Sequence, residues 1–371
     1  MRVLFVSHTF PLEGEPLSNI GGMQRLAMDQ ERALAALPHV ELTSLVLRSA
    51  SRWTEVRTVP FLMGLLARIP RIVRERRIEL VLFSSMVTAG VAPLLRRRLP
   101  PGVELAATPV GRDVTLPNPL HQRLVPRIFR ALDRVMPISR ATADECLARG
   151  VAPEKLRIVP CGVDIGRFPA VEDHRAARME LVEMLGRDGV APPPDGALLL
   201  CSVGRHQERK GFHWFVEEVV PRLPENGVSL LGGSGPMTPR ILSTVAERGL
   251  DARARVLGRV SEEMLGALFR GSDLFVMPNV RVSGDIEGFG VVMLEAGLCG
   301  LPVLAADLEG IRDVVREGEN GVLLPSGDVA AFVQAVEAAL APAQRAAAAR
   351  RARDSVQRRF SWEGGGGELV R

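Results

Sequence analysis

The chain has 371 residues, 46% hydrophobic and 24% charged, a globular balance that excludes wholesale disorder and collagen-like repeats; its length favours two domains. Residues 1–168 carry 24 Lys and Arg against 15 Asp and Glu, and the remainder 23 against 28, so a basic half precedes an acidic one. No apolar run reaches the roughly 18–20 residues of a membrane-spanning helix, and four cysteines without C-x-x-C spacing exclude a disulfide framework or zinc ribbon.

The first ten residues hold one basic residue and no small-residue cleavage site, and they read as a strand rather than a signal peptide. With the cysteine usage, this fits a reducing cytoplasm. Apolar runs at 3–6, 41–47, 80–83, 103–107 and 134–137 predict buried strands. Helices are predicted between them at 23–37, 87–98 and 140–149. The second half repeats the plan, with strands at 197–203, 228–231, 255–257, 274–277, 302–305 and 321–323. Its helices are predicted at 213–221, 239–248, 262–270, 291–299, 311–316 and 329–340. Alternating strand and helix predicts a parallel sheet covered on both faces. The pattern occurs twice, so the fold class is α/β with two doubly wound, Rossmann-like domains facing across a cleft, and ligands are expected at strand carboxyl ends. The boundary is expected within 165–196, where Ala191-Pro-Pro-Pro-Asp-Gly196 has the strongest linker composition, giving domains 1–168 and 169–354. Residues 341–359, rich in Ala and Arg, predict one long helix.

Three segments carry candidate chemistry. Gly204-Arg205-His206-Gln207-Glu208-Arg209-Lys210-Gly211 follows a predicted strand and precedes a helix. Two cations beside exposed backbone N–H groups make an anion site suited to a diphosphate, against the alternative of a solvated polar loop. Lys210 is one of only two lysines among 47 cationic residues. Glu287-Gly288-Phe289-Gly290 leads into a helix that carries Glu295. Eight residues on a helix span about 80° and about 12 Å, so one small group cannot bridge both glutamates. Glu295 lies in an otherwise apolar stretch and needs partners, which the two hydroxyls of a ribose or nearby backbone N–H groups would supply. The third segment, Asn19-Ile-Gly21-Gly22, lets a ligand approach the backbone after the first strand, and by itself is weak.

In this order, these segments resemble glycosyltransferase family 4 in its two-domain GT-B fold, and the likeness covers nearly all of the chain. Further matching residues are Pro160-Cys-Gly162-Val-Asp164 with Phe168, Gly232-Gly-Ser-Gly235-Pro, Ser272-Asp273-Leu-Phe-Val-Met-Pro278, Gly300-Leu-Pro302, Glu309-Gly-Ile and Gly318-Glu-Asn-Gly321. The resemblance implies retaining transfer from a nucleotide-sugar donor, a UDP-sugar ahead of GDP-mannose, to a glycan, lipid-linked glycan or small-molecule acceptor. It implies that Arg205 and Lys210 hold the diphosphate and that Glu287 binds sugar hydroxyls. Gly288, Phe289 and Gly290 would offer backbone N–H groups, with Gly204 in the diphosphate loop. Glu295 would accept from the ribose diol, Gly258 and Arg259 would border the base, and Gly21 and Gly22 would approach the donor phosphate. Residues 355–371 would return to the first domain. No cofactor or metal is expected: Asp-x-Asp is absent, and the Arg/Lys pair stands where a metal would neutralise the diphosphate.

One departure concerns the acceptor side. Many relatives carry a His before Gly-x-Asp where this chain has Val110-Gly111-Arg112-Asp113. Arg112, Asp113 and His8 are the candidate replacements. Val110 also motivates one alternative, a nucleotide- or glycan-binding homologue without activity; a nucleotide-sugar epimerase on the same fold is the other. Arg mixes with apolar residues at 67–77 and 121–134, and Arg96-Arg97-Arg98 adds a third cluster. Such stretches either lie on an anionic membrane surface at the cytoplasmic face or form ordinary helices with a solvated Arg face. Scarce aromatics argue against nucleic acid. There is no P-loop, no G-x-G-x-x-G after the first strand, no H-E-x-x-H and no G-x-S-x-G.

Overall fold

Strand β1, Arg2–Phe10, is buried along nearly its whole length. In this computed structural model it lies between β2, Glu41–Arg48, and β3, Leu80–Phe83, with Val3–Val6 in parallel register to both. Burial on both faces explains why its residues read as a continuous apolar run rather than an alternating one. The structure describes residues 1–12, 22–49, 54–169, 171, 173–339, 342–362 and 366–370. These form two units. One comprises Met1–Gly162, Ser283–Phe289 and Trp362–Arg371; the other comprises Val163–Val282 and Gly290–Ser361.

The first unit adds β4, Glu104–Ala107, and β5, Arg134–Val135, in the all-parallel order β2-β1-β3-β4-β5. Strand order reverses between β1 and β3, where such sheets open a crevice at their carboxyl ends. The helices are α1 (Gly22–Ala35), α2 (Thr54–Arg76), α3 (Met86–Ala89), α4 (Ala92–Leu95), α5 (Arg112–Thr115), α6 (Pro119–Ala131) and α7 (Arg140–Ala148). The helix expected at 87–98 is split into α3 and α4 around Gly90. Helices α2 and α6 are the two longer Arg-rich stretches. Each buries an apolar face, Leu65, Ile69 and Val73 on one and Val125, Ile128 and Phe129 on the other. Each also exposes arginines, among them Arg68, Arg71 and Arg74, and Arg123, Arg127 and Arg130. Arg96 is structural: it donates to the Ala131 and Val103 carbonyls and pairs with Asp133. At the carboxyl end of the chain, Arg157 pairs with Glu368 at 3.1 Å and Gly366 packs on Ala33. The residues grouping with this unit thus begin at Trp362, seven after the expected 355.

The second unit has β6 (Leu198–Val203), β7 (Gly227–Gly232), β8 (Ala254–Gly258), β9 (Leu274–Met277), β10 (Val303–Ala306) and β11 (Gly321–Leu324). All are parallel, in the order β8-β7-β6-β9-β10-β11, which is the dinucleotide-fold order with its reversal between β6 and β9. Helices are α8 (His174–Arg187), α9 (Phe212–Trp214), α10 (Thr238–Glu247), α11 (Glu262–Gly271), α12 (Val291–Leu298), α13 (Ile311–Val314), α14 (Val329–Ala338) and α15 (Pro342–Phe360). The chain enters this unit at Val163, ahead of the expected 165–196 window, because α8 fills that window and belongs to the sheet's helical layer. Arg178 on α8 donates to the Gly271 and Ala197 carbonyls and to Asp273. Residues 191–196 are a turn inside the unit, held by Arg255 on the Ala191 and Pro192 carbonyls. The helix expected at 213–221 widens into a π-turn over Phe215–Val219 and then tightens into a 3-10 turn over Val220–Arg222, with Pro221 in its first turn. Among the described residues no helix is long and apolar enough to cross a membrane.

Candidate active site

In the second unit, the chain leaving β6 meets the chain leaving β9 where strand order reverses. Val280 N–H donates to the Arg209 carbonyl at 3.0 Å. Glu208–Lys210 form a single 3-10 turn closed by Gly211 in the left-handed region, φ +67°. A Cβ on Gly211 would sit 1.8 Å from the Pro278 carbonyl oxygen, so only glycine permits this approach. The turn fixes Lys210, which is 8% exposed, whereas Arg205 is exposed. A Cβ on Gly204 would lie 3.8 Å from Lys210 Cε, so the lysine stem crosses the Gly204 backbone.

The strand ends are laced together. Gly204 N–H donates to the Gly232 carbonyl at 3.0 Å, and Gly233 N–H to Gly258 at 2.6 Å. His206 N–H donates to Ser234, and Met237 N–H donates back to the His206 carbonyl. The His206 ring is buried, with Nδ1 2.9 Å from Thr238 Oγ1, and burial lowers its pKa to about 4. The expected base-side residues lie at the end of β8: Gly258 is half-buried, and Arg259 is exposed.

Gly290, at φ +91°, caps the amino end of α12, whose positive end favours negative charge. Glu295, two turns in, is 6% exposed and ion-paired with Arg167. Arg167 also pairs with Glu262 and lies over the Phe168 ring, 4.5 Å from its centroid. Burial by itself would lower the Arg167 pKa, but Glu295 and Glu262 outweigh it and raise the value. Arg167 was not singled out by sequence reasoning. Its only signal was its place beside Phe168 in a matched segment, because nothing local reveals a partner 128 residues away.

Glu287, Gly288 and Phe289 group with the first unit, whereas Gly290 and Glu295 group with the second. Glu287 and Phe289 are buried. A Cβ on Gly288 would lie 2.2 Å from the Val110 carbonyl oxygen, and one on Gly111 would lie 3.1 Å from Gly288 Cα. Within the first unit, Gly288 therefore packs against the loop that carries Val110. Asp113 is buried, and its carboxylate accepts from the Met86 and Val110 N–H groups, each at 2.8 Å, joining the loops after β3 and β4. Burial raises its pKa, while these two N–H donors pull the other way. Arg112 is exposed. His8 is buried within β1, with Nδ1 3.5 Å from Ser85 Oγ at the reversal between β1 and β3, and burial lowers its pKa to about 4. Gly22 opens α1 and is exposed, and Gly21 lies outside the described residues.

Comparison with known proteins agrees with this arrangement. Residues 20–167 match the sequence profile of Glycosyltransferase Family 4, and residues 197–341 match that of Glycosyl transferases group 1. The chain is 30% identical to the GDP-mannose-dependent alpha-(1-6)-phosphatidylinositol monomannoside mannosyltransferase of Mycolicibacterium smegmatis, over 76% of this chain and 72% of that protein. It is 34% identical to the D-inositol 3-phosphate glycosyltransferase of Geodermatophilus obscurus, over 58% of this chain and 46% of the relative, so it spans about half of that protein's length. Among solved structures, Anabaena HepE in complex with UDP superimposes with a TM-score of 0.74 at 18% identity, covering 100% of this chain and 98% of that one. The sucrose-phosphate synthase of Thermosynechococcus elongatus gives 0.77 at 22% identity, covering 100% and 97%. With two doubly wound sheets, family matches over residues 20–167 and 197–341, and a relative 30% identical over 76% of the chain, the protein belongs to glycosyltransferase family 4 and has the GT-B fold.

Proposed function

We propose that the protein is a retaining, metal-independent glycosyltransferase that moves a sugar from a nucleotide-sugar donor to a glycan, lipid-linked glycan or small-molecule acceptor. The observation that carries this reading is Lys210, a scarce lysine locked by the Gly211 turn at the carboxyl end of β6, where the sheet reverses. A cation fixed there meets the negative charge that develops on a departing nucleoside diphosphate, and needs no reorganisation as it does so. Arg205 adds a second, exposed charge, and the α12 amino end adds backbone donors. Together they supply the neutralisation that a metal gives elsewhere. Glu295 accepts from the ribose diol, Gly258 and Arg259 border the base, and Glu287 accepts from donor-sugar hydroxyls. The sugar's bond to the diphosphate breaks while the acceptor hydroxyl attacks from the same face. A UDP-sugar is the favoured donor and a GDP-sugar the second; a similar structure holds UDP, and a relative is GDP-mannose-dependent.

On this reading the acceptor binds at the first unit's crevice, beside His8 and the Val110–Asp113 loop, which is supported by the strand-order reversal between β1 and β3. A peripheral contact with an anionic membrane at the cytoplasmic face is supported by α2, which exposes Val56, Val59 and Met63 along one stripe near exposed Arg57 and Arg68. Two measurements test the reading. Calorimetry with UDP, GDP, ADP and dTDP is expected to show one tight ligand, weakened by Glu295→Ala. Lys210→Ala is expected to lower turnover of the matching donor about 10²–10³-fold, the cost of removing an oxyanion-type contact. Binding of no diphosphate, or an unchanged turnover, would overturn it.

A further inference from the structure

We infer that Arg167 is a positioning residue for ribose recognition, acting through Glu295; this rests on the nucleotide-sugar reading above. Glu295 lies on a helix whose other residues from Met293 to Leu298 are buried and uncharged. A buried carboxylate in such a setting is costly unless it is paired. Arg167 supplies the pair with one guanidinium nitrogen, Nη1, and anchors itself with the others: Nε donates to Glu262 Oε2 at 3.1 Å, and Nη2 donates to the same oxygen. Glu262 sits in the first turn of α11, where the helix end favours a negative charge. Phe168 closes the third side, stacked edge-on against Phe269 at 5.5 Å.

A planar guanidinium held at three points sets the direction of the carboxylate it grips, which a lysine on a flexible stem does not. A carboxylate has about four lone-pair sites, so one bound to Arg167 retains acceptor capacity for a vicinal diol. Arg167 itself touches no ligand in this scheme. It fixes the angle at which Glu295 meets the two ribose hydroxyls, and Glu262 fixes Arg167.

The test compares affinity for UDP with that for 2′,3′-dideoxy-UDP, or the corresponding guanosine pair if GDP is the tighter ligand. The wild-type chain is expected to prefer the ribose form by roughly ten- to a hundredfold, as hydrogen bonds to a charged group allow. Arg167→Met is expected to reduce that preference to within about threefold while changing dideoxy affinity little, and Arg167→Lys to restore it in part. Glu262→Gln, a change at a partly exposed position, is expected to reduce the preference less, and it serves if Arg167→Met fails to fold. Equal weakening of both ligands, or a preference unchanged in the Arg167 and Glu262 variants, would overturn the inference and leave Arg167 a purely structural pair. Failure of the wild-type chain to bind either nucleotide would instead overturn the donor reading itself.

Discussion

Gly211 offers a sharp test because the chain contains its own control. Gly211 and Gly258 both sit at φ +67°, so alanine at either pays the same left-handed penalty of about 1 kcal/mol. At Gly258 a new Cβ meets nothing within 4 Å, whereas at Gly211 it would lie 1.8 Å from the Pro278 carbonyl oxygen and 2.8 Å from its carbon. Relief of that overlap needs a backbone shift of more than about 1 Å in the chain leaving β9, which is tied back by the Val280–Arg209 bond. Overpacking against backbone of this kind costs about 2–4 kcal/mol more. Gly211→Ala is therefore expected to lose about 3–5 kcal/mol in urea unfolding, and Gly258→Ala about 1 kcal/mol. Gly211→Ala should also cut turnover, since Lys210 is the adjacent residue. If the two variants unfold within about 0.5 kcal/mol of each other, the close approach of the β6 and β9 loops is refuted.

His8 and His206 give a pH signature. Burial lowers both to about 4 from 6.5, so the unfolded chain binds these protons more readily than the folded one. Their stabilisation is full above about pH 6.5 and is lost as pH falls toward 4, by about 3 kcal/mol per residue. Asp113, raised by burial, contributes in the opposite sense, so the readout is the change of slope in His8→Gln and His206→Gln rather than the total slope. A slope identical to wild type in both variants refutes the burial assignment. Asp113→Ala leaves the Met86 and Val110 N–H groups without their acceptor, and is expected to cost about 2–4 kcal/mol. An unfolding midpoint that moves by less than the equivalent of about 0.5 kcal/mol would show that the two loops are held by other contacts.

Much of the fold was legible because parallel strands buried on both faces leave continuous apolar runs, and every predicted strand overlaps an observed one. The helices hid where local signals conflict. Pro60 and Pro70 interrupt α2 in the sequence, yet packing of Leu65, Ile69 and Val73 carries the helix through both. Helix α8 lies beside the Pro-rich turn at 191–196, and its contacts across the fold, such as Arg178 to Gly271 and Asp273 and His174 to Ser272, reveal to which sheet it belongs.

The site divides the same way. Glycine spacing and scarce lysine marked the loop at Lys210, because a tight turn beside an anion leaves its residue types in a short stretch of chain. The Arg167–Glu295–Glu262 cluster, the bond from Met86 to the buried Asp113 and the packing of Gly288 on Val110 left no such trace. Each joins residues far apart in sequence, which composition does not encode. Burial decides the partners of such charges, and only the folded chain sets burial.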